Sequence, residues 1–329
     1  LRAYTLSDMK EIPLSIPKGN VYDFDLDPTG ELVVYSFGSA VQNRNIFTLD
    51  LKNGDIKQLT DMPMGVSKDI LVRPEEIWFE SFDGLKVPAF VYKPQNIEAG
   101  KKLPVLIDIH GGPEAQAFNG LNTINQFFVN SGFVVVIPNV RGSSGYGKTY
   151  LSLDNIEKRM DSVKDMVSLR EYLKTLSYVD ENKIVLMGGS YGGFMVLAGL
   201  AFYPDLWAAG IDIVGISNFI TFLENTAPYR RAIREAEYGY LERDRELLIS
   251  ISPIHKADQI QASLMVVHGV NDPRVPFDEA KQVVEKVRSN GKEVEFLVYE
   301  DEGHGLGKLK NKFDAYPKMV SFLQRVLKL

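Results

Sequence analysis

Short apolar runs separated by polar turn residues fill the first 70 positions of the 329-residue chain. The runs predict four β-strands, and Asn53-Gly54 between the last two is typical of a hairpin turn. The four predicted strands are Val21–Leu26, Glu31–Phe37, Ile46–Leu51 and Ile56–Leu59. Four strands at this spacing make about one blade of a β-propeller, and the alternative is an unrelated small β-meander. The period does not recur in the chain, so we assign residues 1–69 to a single blade-like all-β segment.

From residue 70 onwards, continuous apolar runs alternate with amphipathic segments. Continuous runs are typical of parallel strands that are buried on both faces, and a strand pair around Asp83-Gly84 precedes them. The predicted buried strands are Leu103–Ile109, Phe133–Ile137, Lys183–Met187, Ala208–Val214, Leu264–His268 and Val294–Tyr299. The helices predicted between and after them are Leu121–Asn130, Ser162–Leu176, Phe194–Ala201, Ser217–Leu223, Asp278–Ser289 and Lys312–Leu329. Residues 70–329 are therefore predicted to form one α/β domain with a doubly wound, mostly parallel sheet, the pattern of an α/β-hydrolase fold.

Composition narrows the possible classes of function. Hydrophobic residues make up 45% and charged residues 24% of the chain, as in ordinary soluble globular proteins. The net charge of −6 and the lack of a basic run argue against a nucleic-acid partner. No apolar stretch is long enough for a membrane span, and no secretory signal is evident, so we expect a cytoplasmic protein. The chain has no cysteine and no cluster of metal-ligand residues or dinucleotide motif, so we expect neither metal nor cofactor.

The segment GGSYGG at residues 188–193 lies between a predicted strand and a predicted helix. In that context the pattern G-x-S-x-G indicates a nucleophile elbow, a sharp turn that presents the serine hydroxyl, here that of Ser190. The glycines two positions before and after the serine remove side chains that would crowd the turn. The alternative interpretation is a glycine-rich turn without chemistry, and the motif alone does not decide between them.

A serine hydroxyl is a poor nucleophile until a base removes its proton, and an acid must hold the tautomer of that base. In α/β-hydrolases the chain order is serine, acid, histidine. The chain has four histidines, at positions 110, 255, 268 and 304. His304 follows the last predicted strand and fits the base. His255 precedes the acid candidate, and His268 ends a strand, where a hydrogen-bonded core residue is the simpler interpretation.

The acid should follow the penultimate strand, because sites in open α/β sheets form at the carboxyl ends of the strands. Asp272 lies at that position, directly after the strand Leu264–His268. A turn that caps the next helix would also account for an Asp-Pro pair. Asp212 is the second candidate for the acid, but it lies inside a predicted strand. We therefore predict Asp272 as the acid.

An oxyanion hole needs two backbone N–H groups directed at the developing negative charge. One should come from Tyr191, the residue after the serine, and the other from the loop His110-Gly111-Gly112-Pro113 that follows the third strand. Proline has no N–H, so we predict Gly112 as the second donor. For His110 we expect a structural hydrogen-bonding role.

Six motifs occur in a characteristic order: SFDGLKVPAFVYKP, HGGPEAQ, NVRGSSGYG, GGSYGG, HGVNDPRVP and DEGHG. Together they resemble the prolyl oligopeptidase family of serine peptidases over residues 70–329, and most of all its acylaminoacyl-peptidase branch. The resemblance implies that Ser190, Asp272 and His304 are nucleophile, acid and base. It implies a hole formed by the main-chain N–H groups of Gly112 and Tyr191. It further implies hydrolysis of short N-acylated peptides, with esterase activity common.

The same resemblance bears on the branch of the family and on the oligomeric state of the chain. The resemblance places His110 of the motif HGGP where the prolyl-specific and dipeptidyl branches have a tyrosine. This difference argues against those two branches. The resemblance implies a complete propeller that selects peptides by size, whereas one blade is predicted here, which favours a broader esterase. A lone blade is expected to self-associate or to bind a separate propeller fragment. The alternative functions are a dienelactone-hydrolase-like enzyme and a non-catalytic binding module.

Overall fold

A computed structural model of the chain describes all of residues 1–329. The chain divides into two compact units. The first comprises Leu1–Pro74 and Phe118–Asn130, and the second comprises Glu75–Ala117 and Ser131–Leu329. Residues 118–130 thus group with the first unit, although they lie beyond the domain boundary that we predicted at residue 69.

The first unit is built on a four-stranded antiparallel sheet in the order β3-β4-β5-β6, a simple meander. A two-stranded ribbon precedes this sheet, and the unit also holds one helix. The elements are β1 (Ala3–Tyr4), β2 (Glu11–Ile12), β3 (Asn20–Leu26), β4 (Leu32–Ser39), β5 (Gln42–Asp50), β6 (Ile56–Gln58) and α1 (Thr123–Asn130). Alternate side chains of β4 and β5 share one face and form its small core, which contains Val33, Tyr35, Phe37, Phe47 and Leu49. The predicted all-β segment is confirmed.

Helix α1 is held in the first unit by a buried side-chain amide. Gln126 accepts a hydrogen bond from the backbone N–H of Val72 at 2.9 Å. Its Nε2 donates to the carbonyl of Val72 at 2.8 Å and to that of Ala40 at 3.1 Å. A buried amide satisfied on both sides fixes the helix against this part of the chain.

The second unit contains an eight-stranded sheet in the order β14-β13-β12-β11-β9-β10-β8-β7. Strands β7 and β8 form an antiparallel hairpin, and β8 also pairs antiparallel with β10. The remaining neighbours in the sheet are parallel. The strands are β7 (Glu75–Glu80), β8 (Lys86–Tyr92), β9 (Leu103–Ile109), β10 (Val134–Pro138), β11 (Val179–Gly189), β12 (Ala209–Ile213), β13 (Ser263–Gly269) and β14 (Val294–Tyr299). The predicted α/β-hydrolase architecture, a mostly parallel sheet with an antiparallel start, is confirmed.

Eight helices accompany this sheet. They are α2 (Lys148–Leu151), α3 (Arg159–Lys174), α4 (Tyr191–Phe202), α5 (Phe219–Asn225), α6 (Pro228–Tyr238), α7 (Arg245–Ile251), α8 (Phe277–Ser289) and α9 (Leu309–Leu327). Helix α4 is buried over nearly its whole length, because it is apolar on every side and packs between sheet and helices. No helix in the structure combines the length and the apolar character needed to cross a bilayer.

Parallel strands bring their carboxyl ends to one edge of the sheet, and the candidate residues lie in the loops at that edge. The loop after β9 begins at His110, and the turn after β11 contains Ser190. The loops after β13 and β14 carry Asp272 and His304. Residues far apart in the chain therefore share one edge of the sheet.

Candidate active site

The turn between β11 and α4 has the backbone geometry of an elbow. Ser190 has φ 60° and ψ −117°, a conformation that is uncommon for a residue with a side chain. A Cβ at Gly188 would lie 2.5 Å from the carbonyl of Gly192, and one at Gly192 would overlap the carbonyl oxygen of Ile109. Only glycine fits at these two positions, which explains the spacing around the serine.

Ser190 itself is held through its backbone. Its N–H donates to the carbonyl of Ile213 at 2.9 Å, and its carbonyl accepts from the N–H of Phe194 at 3.1 Å. Its hydroxyl does not cap the helix that it precedes. The hydroxyl is therefore left available at the edge of the sheet, although the structure contains no hydrogen bond between it and His304.

Asp272 and His304 form a direct pair. The Nδ1 of His304 lies 2.7 Å from the Oδ2 of Asp272, whose side chain is fully buried. The other carboxylate oxygen accepts from the N–H groups of Arg274 at 2.8 Å and Val275 at 3.0 Å. Burial alone would raise the pKa of Asp272, but His304 and these backbone donors outweigh it and hold the pKa below its usual range. An ionised Asp272 makes Nδ1 the donor, so the Nε2 of neutral His304 is free to accept a proton.

Strand order sets the spacing between the serine and this pair. Ser190 follows β11, Asp272 follows β13, and β12 lies between these strands. Strands are about 4.8 Å apart, so the carboxyl ends of β11 and β13 lie roughly 10 Å apart. The loop of His304 follows β14, the next strand outwards.

Asp212, the second candidate for the acid, is directed elsewhere. It is fully buried within β12, and its Oδ1 lies where a Cβ at Gly193 or Gly215 would be. Burial raises its pKa to about 7. No histidine pairs with its carboxylate in the structure. This geometry favours Asp272 over Asp212.

Two of the other histidines, His268 and His110, have other main contacts. His268 is buried and its Nε2 lies 3.0 Å from the carbonyl of Val275, with the Oδ2 of Asp272 further away at 3.7 Å. His110 contacts the carbonyl of Gly111 at 2.8 Å and the hydroxyl of Ser143 at 2.9 Å. Burial lowers the pKa of both rings, which favours their neutral forms.

The glycine loop after β9 lies directly against the elbow. A Cβ at Gly111 would approach the Cβ of Ser190 to 3.2 Å, and Gly112 has a φ of +129° that favours glycine. Tyr191 is the first residue of α4, so its N–H has no acceptor within the helix. The glycine loop thus lies against the serine, where the predicted oxyanion hole would form.

A group of charged residues contacts this loop, and the sequence predicts no role for it. The Nη1 of Arg234 in α6 donates to the carbonyl of Gly112 at 2.9 Å and pairs with Glu237. Fully buried Arg159 pairs with Asp154 and Glu237, and burial raises the pKa of Glu237 to about 7. The only signal in the sequence was the arginine-rich segment 226–250, because the partners are distant in the chain.

Comparisons with known proteins agree with the fold and the motifs. A model of the prolyl oligopeptidase family matches residues 119–329. Dipeptidyl peptidase family member 6 from Caenorhabditis elegans is 33% identical over 229 residues, which cover 68% of this chain and 31% of that protein. A puromycin-hydrolysing peptidase from Mycobacterium tuberculosis superposes with a TM-score of 0.91 at 23% identity over 98% of this chain and 51% of that one. Acylaminoacyl peptidase from Pyrococcus horikoshii gives 0.85 at 24%, over 97% and 51%. The chain spans about a third to a half of the length of these proteins.

Proposed function

The chain belongs to the prolyl oligopeptidase family, and from that premise we propose that it is a serine hydrolase in which Ser190, His304 and Asp272 act together. The observation that carries the proposal is the 2.7 Å hydrogen bond between His304 and buried Asp272 at the edge where the elbow presents its serine. A non-catalytic binding module would not require an oriented histidine–carboxylate pair beside a strained serine.

The proposed mechanism follows from the protonation states of His304 and Asp272 described above. The Nε2 of His304 takes the proton of the Ser190 hydroxyl as its oxygen attacks the substrate carbonyl. The N–H groups of Gly112 and Tyr191 stabilise the resulting oxyanion, and ionised Asp272 stabilises the imidazolium. His304 then protonates the leaving amine or alcohol, which leaves an acyl group on Ser190. Water, deprotonated by His304, attacks the acyl carbonyl, the bond to the Ser190 oxygen breaks, and His304 returns the proton to that oxygen, which releases a carboxylic acid.

We assign short N-acylated peptides and short carboxylic esters as substrates. Six motifs resembling the acylaminoacyl-peptidase branch support this choice, as does His110 at the position of a tyrosine in other branches. The relative from C. elegans is named as a dipeptidyl peptidase, so peptides with a free amino terminus are the competing class. A lactone hydrolase of the dienelactone type remains the other alternative.

A substrate panel should separate these classes. We expect hydrolysis of p-nitrophenyl acetate and butyrate and of N-acetyl-alanine p-nitroanilide, because only an acyl carbonyl and an open site are needed. The matched control is alanyl-alanine p-nitroanilide, which has the same leaving group and a free amine. Faster release from this dipeptide would assign the chain to the dipeptidyl class. Cleavage after proline without ester or acyl-peptide hydrolysis would contradict the assignment.

We also propose that the first unit is covered by another polypeptide, either a second copy of this chain or a separate propeller fragment. Strand β3 forms one edge of its sheet. Its side chains Tyr22, Phe24 and Leu26 are 42%, 60% and 49% exposed. An edge strand with an exposed apolar face is a template for pairing, and we favour self-association. The cytoplasmic location stays a prediction from composition.

Light scattering after gel filtration tests self-association. We expect the intact chain to exceed its monomer mass of 36.9 kDa and Phe24→Lys to reduce the assembly, since a charge on the exposed apolar face of β3 opposes burial of that face. Asp25→Lys, on the opposite face of the same strand, is the matched control and should leave the assembly in place. A monodisperse monomer at all concentrations would rule out the second copy.

A further inference from the structure

The loop between β14 and α9 carries His304 and is closed by one buried side chain. Glu302 is only 4% exposed. Its Oε1 accepts from the N–H of Lys308 and from the Nδ2 of Asn311, both at 2.8 Å. Its Oε2 accepts from the N–H of Gly307 at 3.0 Å. The carboxylate therefore joins the two sides of the loop, and His304 lies between its anchor points.

The backbone of the same residue contacts the loop that carries Asp272. The carbonyl of Glu302 accepts from the N–H of Asn271 at 3.0 Å. A Cβ at Gly269 would lie 2.7 Å from that carbonyl, so the close approach requires glycine. Asn271 immediately precedes Asp272. Glu302 thus links the position of the histidine to the position of its carboxylate partner.

The hydrogen bonds that close the loop require the side chain of Glu302 to be charged as well as correctly shaped. Burial alone would raise its pKa, but the donors from Asn311, Lys308 and Gly307 outweigh burial and hold the pKa below the usual range. All three partners are N–H donors, so the site accepts an ionised carboxylate without an unpaired group. A glutamine would turn an amide NH₂ towards at least one of these donors and leave it unsatisfied.

We propose that Glu302 is a positioning residue that holds His304 in line with Asp272. The proposal rests on the proposed function, since it assigns Glu302 a part in the work of that pair. The proposed role of Glu302 involves no contact with the substrate. Glu302 acts through the loop alone.

Glu302→Gln is the principal test, and Asp301→Asn is its matched control. Asp301 lies on the same loop and also binds Lys308 and Asn311, but its side chain is 35% exposed and its partners are side chains. We expect Glu302→Gln to lower kcat on the order of 100-fold with KM unchanged, the effect of a misplaced catalytic group. Asp301→Asn should stay close to the parent protein in both constants.

A second readout does not depend on activity. The proton between the Nδ1 of His304 and Asp272 should give a low-field resonance in the ¹H NMR spectrum. The resonance should weaken in Glu302→Gln and persist in Asp301→Asn, with thermal unfolding confirming that both are folded. If Glu302→Gln does not fold, Asn311→Ala, which removes one donor, should show the same loss in smaller measure.

The outcomes separate the two proposals. A resonance and a kcat that survive Glu302→Gln would overturn the positioning role. Equal losses in Glu302→Gln and Asp301→Asn would overturn it as well, because any disturbance of the loop would then suffice. Activity that persists in Ser190→Ala would instead refute the proposed function, while the resonance would still decide the role of Glu302.

Discussion

Replacement of Ser190 by alanine is expected to lower kcat by roughly a millionfold, the loss seen when the nucleophile of a serine hydrolase is removed. The side chain has no role in capping α4, and alanine fits wherever serine does, so the protein should remain folded. Labelling by a fluorophosphonate probe, which phosphonylates an activated serine, should vanish together with turnover. In-gel fluorescence and ester hydrolysis measure the two effects on one sample.

Ser144→Ala is a suitable control for that experiment. Ser144 lies in the loop GSSG of the second unit, and its backbone N–H, which the substitution retains, donates to the carbonyl of Ala115 at 2.9 Å. We expect full labelling and turnover in this variant. Labelling that persists in Ser190→Ala would show that the nucleophile lies elsewhere and would remove the basis of the proposed mechanism.

His304→Ala is expected to reduce kcat by roughly a millionfold and Asp272→Asn by about 10,000-fold. Alanine removes the base. Asparagine keeps the shape of the acid but removes its charge, and its NH₂ group can force the histidine into the wrong tautomer. Because the two residues work as a unit, the double variant should lose little more than His304→Ala alone. Steady-state rates for a p-nitrophenyl ester measure all three.

Asp212→Asn is the control variant for the assignment of Asp272 as the acid. Its carboxyl is buried beside Gly193 and Gly215 and pairs with no histidine, so kcat should change far less than in Asp272→Asn. The pKa of Asp272 lies below its usual range, so this group stays ionised when the solution is moderately acidified. Protonation of Asp272 should therefore not limit activity in mild acid. A larger loss in Asp212→Asn than in Asp272→Asn would transfer the acid role to Asp212.

Much of the fold is readable from the hydrophobic pattern. The continuous run Leu103–Ile109 gives strand β9 with the predicted bounds, because a strand buried on both faces has no polar interruption. The elbow is readable because its glycines are required by steric contact within one turn. The preference for Asp272 over Asp212 came from chain position, and the direction of each side chain supplies the independent geometric support.

Long-range contacts were not readable. The sequence assigned residues 118–130 to the α/β region by periodicity, yet Gln126 binds Val72 and Ala40 in the first unit. The bond from Arg234 to Gly112 joins residues 122 positions apart. Nothing local distinguishes such a glutamine or arginine from one exposed to solvent. The motif DEGHG contains Glu302, but the sequence does not predict its role, because its three donors become its neighbours only in the folded loop.

The steric contacts at the elbow separate two kinds of evolutionary constraint. A side chain at Gly188 or Gly192 would meet backbone atoms of Gly192 or Ile109, so these glycines are demanded by packing whether or not the serine reacts. A descendant that lost Ser190 could therefore keep both glycines and fold normally. Searches that weigh the glycines as heavily as the serine would count such pseudoenzymes as active members. Ser190 and its proposed partners His304 and Asp272, not the glycines, record whether the chemistry has been retained.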